Sequence, residues 1–202
     1  MKQGVRQLRI VGGSLRGRRL RFPDAAGLRP TPDRVRETLF NWLAPYIGGM
    51  RVLDLFAGSG ALGFEALSRG AQDATLVDAS PTVGRQLRAT AADLGLAAVR
   101  VETAEALDFL RREGGPWDLI FVDPPFAAGL LAPVMTHLAA SGQLSPRGFC
   151  YVEAARGTPL PPLPAGWRLH RSGTAGEVGY HLLHESGSDL SGDVRSHHQR
   201  PP

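Results

Sequence analysis

Arg51-Val52-Leu53-Asp54-Leu55-Phe56-Ala57-Gly58-Ser59-Gly60-Ala61-Leu62-Gly63 is the stretch that decides the fold. Its first half is a short apolar run of strand type, and an apolar helical pattern continues through Leu67, so the segment reads as strand, glycine turn, helix. Gly58 and Gly60 permit a tight turn and a close backbone approach to a ligand, and Gly63 lets the helix lie near the sheet. Outward from this unit the same alternation repeats. Strands are expected near 51–56, 73–78, 98–102, 118–122 and 147–153, and helices at about 61–69, 81–94, 104–113 and 128–140. Residues 167–173 and 178–185 read as two last strands joined by a Gly-rich turn. The fold class is therefore α/β, a doubly wound, mostly parallel, seven-stranded Rossmann-like sheet with an antiparallel C-terminal hairpin.

The spacing Gly58-x-Gly60-x-x-Gly63, with Asp78 after Ala74-Thr75-Leu76-Val77, formally fits a dinucleotide fingerprint in which the acid meets a ribose diol. A nicotinamide or flavin enzyme is one reading. Asp54 opposes it, because a carboxylate at the end of the first strand repels a pyrophosphate but favours a cation such as the ammonium and sulfonium of S-adenosylmethionine. Helix caps or turns would also account for Asp54 and Asp78 taken singly. In a doubly wound sheet, ligands lie at the carboxyl ends of the strands, so Asp54, Asp78, Glu105 and Asp123 are expected to converge there.

The run Leu119-Ile120-Phe121-Val122 leads into Asp123-Pro124-Pro125-Phe126. Proline has no N–H, so this corner presents acceptors without donors, on a backbone with little freedom to relax. An exocyclic NH2 suits it. The Asp123 carboxylate and the Pro124 carbonyl can each take one N–H, directing the nitrogen lone pair at an electrophile, and Phe126 can stack on a flat ring. A tight Pro-Pro turn closing a buried strand is the plainer alternative.

Charge is uneven. Through Arg51 there are 11 basic residues against three acids, although the whole chain of 202 residues carries a formal net charge of only +4. Arg16, Arg18, Arg19 and Arg21 crowd around Gly17, giving a mobile positive arm or a hairpin edge suited to phosphates. Residues 8–22 alternate enough for a small β-hairpin. Thr31 is expected to cap a helix with Pro32 at its first position and an apolar stripe of Val35, Leu39, Trp42 and Leu43. The expected layout is a basic N-terminal extension over 1–47, a catalytic domain over 48–185 entered through Gly48-Gly49, and a disordered polar tail over 186–202. Residues 157–166 hold four prolines and read as a surface loop. No apolar run approaches the roughly 18 residues of a membrane span, and no secretion signal is present, so a cytoplasmic protein is expected. Cys150 sits in an apolar run and reads as a buried strand residue. The histidines lack partners at ligand spacing, so no metal is expected.

Asp54-Leu55-Phe56-Ala57-Gly58-Ser59-Gly60 with Asp123-Pro124-Pro125-Phe126 resembles the class I S-adenosylmethionine-dependent methyltransferases that act on amino groups. Arg9-Ile10-Val11-Gly12-Gly13, Arg16-Gly17-Arg18-Arg19-Leu20, the segment from Leu28 to Leu43, and Tyr151-Val152-Glu153 narrow the likeness to the bacterial 16S ribosomal RNA guanine-N2 methyltransferase family, from about residue 8 to 185. The resemblance implies S-adenosylmethionine as cofactor and 16S rRNA as partner, with a partly assembled 30S particle expected as its setting and naked RNA as the alternative. It implies Asp123, Pro124 and Phe126 as catalytic. Cofactor contacts are implied at Thr31, Asp54, Phe56, Gly58, Gly60, Asp78, Ala79, Glu105, Ala106 and Asp123, with Glu105 and Ala106 at the adenine and with Arg36 and Asn41 reaching the pocket from above. RNA contacts are expected at Arg16, Arg18, Arg19, Arg21, Arg29 and Arg34. One departure is Asp78-Ala79, where the family often has glutamate. A DNA adenine-N6 methyltransferase uses similar chemistry, but this chain has no room for a target-recognition region. A protein-glutamine methyltransferase would more naturally carry an amide at 123. A non-catalytic nucleic-acid-binding protein is the rival from another class.

Overall fold

The structure is a computed structural model and describes residues 5–23 and 31–185. A small antiparallel hairpin, β1 (Val5–Arg9) and β2 (Arg19–Pro23), precedes helix α1 (Asp33–Leu43). Then follow β3 (Arg51–Asp54), α2 (Ala61–Ser68), β4 (Asp73–Asp78), α3 (Pro81–Leu94), β5 (Val99–Thr103), α4 (Ala106–Arg112), β6 (Trp117–Val122), a 3-10 turn at Phe126–Ala128, α5 (Leu131–Ser141), β7 (Leu144–Ala155), β8 (Trp167–Ala175) and β9 (Val178–Glu185). The large sheet has seven strands in the order β5-β4-β3-β6-β7-β9-β8, parallel from β5 through β7 and antiparallel at β9 and β8. This is the architecture the sequence implies. The chain order reverses between β3 and β6, and a doubly wound sheet opens its ligand crevice at such a switch point.

Both faces of the sheet are covered, which is why its central strands read as continuous apolar runs. On one face Val52, Leu119, Phe121 and Tyr151 pack under α1, α2 and α3 through Leu39, Phe40, Leu62, Phe64 and Leu87. On the other, Leu53, Ile120, Val122 and Val152 pack under α4 and α5 through Phe109, Leu110, Val134 and Leu138. Cys150 is buried in this second layer. No helix among the described residues is long and apolar enough to cross a membrane.

The hairpin is fastened to the body at α2, so the alternative of a free arm gives way to a docked hairpin edge. Glu65, fully buried, accepts the backbone N–H groups of Val11 and Gly12, each at 2.8 Å. It also pairs with Arg36, at 3.5 Å, and with Arg69, at 2.8 Å. At the C-terminal end of α2 the Ser68 carbonyl accepts the N–H of Ser14 at 2.7 Å, and the Ser68 hydroxyl accepts that of Leu15 at 2.9 Å. A helix end leaves carbonyls without intrahelical partners, and the hairpin supplies one of the missing donors.

Local expectations are corrected in three places. Thr31 does not cap α1: the capping position belongs to Pro32, which has no side-chain cap bond, and the Thr31 hydroxyl donates instead to Glu153 at 3.0 Å. The helix expected from 128 starts at Leu131, because the Pro125 carbonyl takes the Ala128 N–H in a 3-10 turn and Gly129 follows in the left-handed region at φ 63°. Strand β3 stops at Asp54 rather than 56, as Leu55 and Phe56 already belong to the turn. The tail expected over 186–202 lies outside the described residues.

Candidate active site

The turn after β3 is built by bonds that the sequence spacing anticipates. Asp54 is buried at the strand end, and its Oδ2 accepts the Gly63 N–H at 3.1 Å. Gly63 is the third residue of α2, so Asp54 satisfies an otherwise unpaired amide at the positive end of that helix, a task the helix's own capping residue, Gly60, cannot perform. Gly60 has φ 75°, and a Cβ there would stand 2.3 Å from the Phe64 ring. A Cβ on Gly63 would stand 2.1 Å from Leu76 Cδ2, so a side chain at that position would force Leu76 to shift in the contact between α2 and β4. Across the turn, Asp78 at the end of β4 accepts the Gly58 N–H at 3.0 Å and the Ser80 N–H at 2.8 Å.

The sheet register gathers the remaining acids. Asp54 pairs with Phe121 and Val122 pairs with Val152, so Asp123 and Glu153 each follow by one residue on adjacent strands. Side chains alternate along a strand, which puts Asp54, Asp123 and Glu153 on the face that carries Phe121 and Tyr151. Glu153 is buried, and its Oε1 accepts the Tyr151 hydroxyl at 2.8 Å as well as that of Thr31. Asp123 is half-buried at the mouth, Pro124 is buried behind it, and Phe126 stands out from the surface with 48% of its area exposed.

Crowding carboxylates here makes their charges costly. Burial raises Asp54 from 3.8 to about 7, against the hydrogen bonds from Gly63 and Phe56 and with further lift from Asp78 and Glu153. Burial also holds Asp123 well above the usual carboxylate range, and the negative charges of Glu153 and Asp54 add to it. Glu153 is raised by burial, while the Tyr151 and Thr31 hydroxyls pull it back by favouring its ionised form. Asp78 is raised by burial against the N–H groups of Ser80 and Gly58. A cluster of acids raised in this way is a site short of positive charge, and a cation entering it relieves the repulsion.

The other sequence candidates fall into separate places. Phe56 is half-buried beside the turn and Ala79 is exposed next to Asp78. Glu105 is exposed at the capping position of α4 and Ala106 is buried behind it, adjoining Asp78 through the bond from Ala104 N–H to the Asp78 carbonyl at 3.1 Å. Arg36, read as reaching the pocket, is fully buried and spends its donors on the Thr31 carbonyl, Asp33 and Glu65. Its guanidinium thus balances Glu65 rather than lining the cleft. Asn41 is exposed on α1. Arg16, Arg18, Arg19, Arg21 and Arg34 are exposed, and Arg29 lies outside the described residues. Arg18, Arg19 and Arg21 line a cleft of about 340 Å³ between the hairpin and α3, faced by Gln86, Thr90 and Asp93.

Comparison with known proteins agrees with the fold. The family described as Conserved hypothetical protein 95 matches residues 8–184. The chain belongs to this family. It is 50% identical over 179 residues to the ribosomal RNA small subunit methyltransferase D of Escherichia coli (strain K12), covering 89% of this chain and 90% of that relative. A protein of the same name from Haemophilus influenzae is 42% identical over 180 residues, covering 87% of this chain and 93% of the relative. Among solved structures, the putative methyltransferase yhhF from Escherichia coli superposes with a TM-score of 0.84 at 46% identity, covering 91% of this chain and all of that one. These are methyltransferase relatives, and their fold is the one described above.

For a methyltransferase of this family the donor set fits S-adenosylmethionine. Its ammonium and sulfonium are the positive charges that the raised Asp54 and Asp123 call for, and Asp78, with each oxygen holding one N–H, has acceptor capacity left for a diol. Sequence reasoning missed Glu153 as a member of this group, together with Tyr151. The signal was present: a single glutamate inside the apolar run from Phe149 to Ala154 is costly unless it is bonded or used.

Proposed function

We propose that the chain transfers a methyl group from S-adenosylmethionine to the N2 amine of a guanine in 16S rRNA, within a partly assembled 30S particle. The observation that carries this reading is the corner at the end of β6. A half-buried Asp123 beside further carboxylates is followed by a buried Pro124 and an outstanding Phe126. When bound, the cofactor supplies an activated methyl group on a positively charged sulfur. Asp54 and Asp78 hold its charged and diol ends, Glu105 and Ala106 border its adenine, and the turn at Gly58 and Gly60 lets the backbone come close. The Asp123 carboxylate and the Pro124 carbonyl accept the two N–H groups of the guanine amine, which fixes its lone pair in line with the methyl. Phe126 stacks on a base turned out of its helix. The exposed arginines of the hairpin, with Arg29 and Arg34, hold the flanking phosphates, so residues 1–47 serve as an RNA-contacting extension of the catalytic body.

The test supplies the purified protein and labelled cofactor to naked 16S rRNA and to 30S particles from a strain lacking this gene, and maps modified bases by mass. One N2-methylguanine, absent from the strain and restored by the protein, is the expected result. Label on an adenine N6 of DNA, or on no nucleic acid at all, rejects the reading.

A further inference from the structure

Methyl transfer to an aromatic amine leaves a proton to be removed. The nitrogen lone pair forms the new N–C bond while the S–C bond breaks and its electron pair stays on sulfur. The positive charge thus moves from sulfur to nitrogen. One N–H bond of that nitrogen then breaks, its electrons return to the ring system, and the proton needs an acceptor. Asp123 is the carboxylate assigned to this amine, but an ordinary carboxylate is a weak base at neutral pH.

We propose that Glu153 is a positioning residue that acts through Asp123, keeping Asp123 a proton acceptor for the methylated amine. The inference rests on the amine-methylating function proposed above. Its geometric basis is independent of that function. Glu153 follows Val152 just as Asp123 follows its pairing partner Val122, so the two acids lie side by side on one face, Asp123 just past the end of β6 and Glu153 within β7. Glu153 is held there by two hydroxyls on the same oxygen, from Tyr151 at 2.8 Å and Thr31 at 3.0 Å. Burial raises Glu153, and both donors work against that by favouring its ionised form over the neutral one. Asp123 has one more negative neighbour, Asp54. The charge of Glu153 therefore raises the proton affinity of Asp123, which is the property a proton acceptor requires. The surrounding groups permit this. Tyr151 is a neutral phenol at working pH, Tyr180 pairs with Glu153 across β9, Asp54 adds charge of the same sign once it loses its proton near 7, and the Arg36 guanidinium on α1 is committed to Asp33, Glu65 and the Thr31 carbonyl.

The experiment follows the carboxyl carbon of Asp123 by NMR through a pH titration of the full chain without cofactor, in the parent, in Glu153→Gln and in Tyr151→Phe. Glutamine keeps an oxygen for both hydroxyls and removes the charge. The Asp123 midpoint is expected to fall by about one pH unit or more in Glu153→Gln, the scale of one close charge, and by less in Tyr151→Phe. The single-turnover pH profile, measured at saturating cofactor, should shift in the same sense, with a slower plateau. An Asp123 midpoint equal to the parent's in Glu153→Gln overturns the proposal. If that variant does not fold, an unmoved midpoint in Tyr151→Phe does so. A parent that methylates no RNA sinks the functional reading instead, and the titration still reports whether the two acids are coupled.

Discussion

Gly63 donates its backbone N–H to Asp54 across the turn after β3, at 3.1 Å, and that one bond ties the buried carboxylate to the first turn of α2. The bond does not make the charge cheap, because burial dominates and Asp54 remains raised to about 7.

A stability prediction follows from its sign. In the unfolded chain Asp54 ionises near 3.8, whereas in the folded protein it keeps its proton to about 7. The folded state then binds more protons between those values, so its stability falls as pH rises from about 4 through about 7. In cofactor-free protein, Asp54→Asn removes this loss and is expected to be more stable than the parent at pH 8, by on the order of a few kcal/mol. Near pH 4 the two should unfold alike. Urea unfolding at both pH values checks it, and calorimetry should show that the same variant binds the cofactor more weakly.

Asp123 and Phe126 should separate by kinetics. Asp123→Ala is expected to slow single-turnover transfer at saturating cofactor by about 100-fold or more, the scale of one preorganised charged acceptor, a larger effect than any loss of cofactor affinity. Phe126→Ala loses a stacking surface worth roughly 1–3 kcal/mol, so its penalty should fall on kcat/KM for RNA. An Asp123 variant with parental rate removes the assigned role.

Glu65 should behave as a structural keystone. Glu65→Ala leaves Arg36, fully buried, with one carboxylate fewer and releases the N–H groups of Val11 and Gly12. Breaking a buried pair in this way costs about 3–5 kcal/mol. The expected signature is a lower unfolding midpoint together with faster amide exchange at Val11 and Gly12. Protection unchanged at those amides would show that the hairpin is held by other means.

The arginine edge should be read through salt. Changing Arg16, Arg18 and Arg19 together to alanine is expected to weaken RNA binding and to lower the slope of log affinity against log salt by roughly 2, given about 0.7–0.9 per phosphate contact. Equal slopes for variant and parent would take this edge out of the RNA contact.

Much of this was legible in the sequence because the chemistry is local. The run from Arg51 to Gly63 specifies strand, turn and helix by itself, and Asp78 and Asp123 announce strand ends because each closes an apolar run, whereas Asp54 lies inside a run that continues to Phe56. What escaped depends on partners far away in the chain. Thr31 resembles a helix cap until Glu153, 122 residues later, takes its hydroxyl. Arg36 resembles a surface or pocket residue until Glu65, 29 residues on, is seen to neutralise it inside the core. In each case a polar residue on an otherwise buried element was the visible mark, and the sheet register, which sequence pattern does not give, chose the partner.

Helix α2 touches both ends of the proposed machinery. Its first residues shape the turn beside Asp54, and its last residues grip the hairpin that carries the arginines. It is only 8 residues long, or about 12 Å at 1.5 Å per residue. So short and so well buried a rod does not stretch, and under the proposed function it is a ruler between phosphate grip and reaction centre. An RNA that satisfies both must fold its backbone to that gauge, which makes distance a criterion of substrate choice alongside the identity of the base.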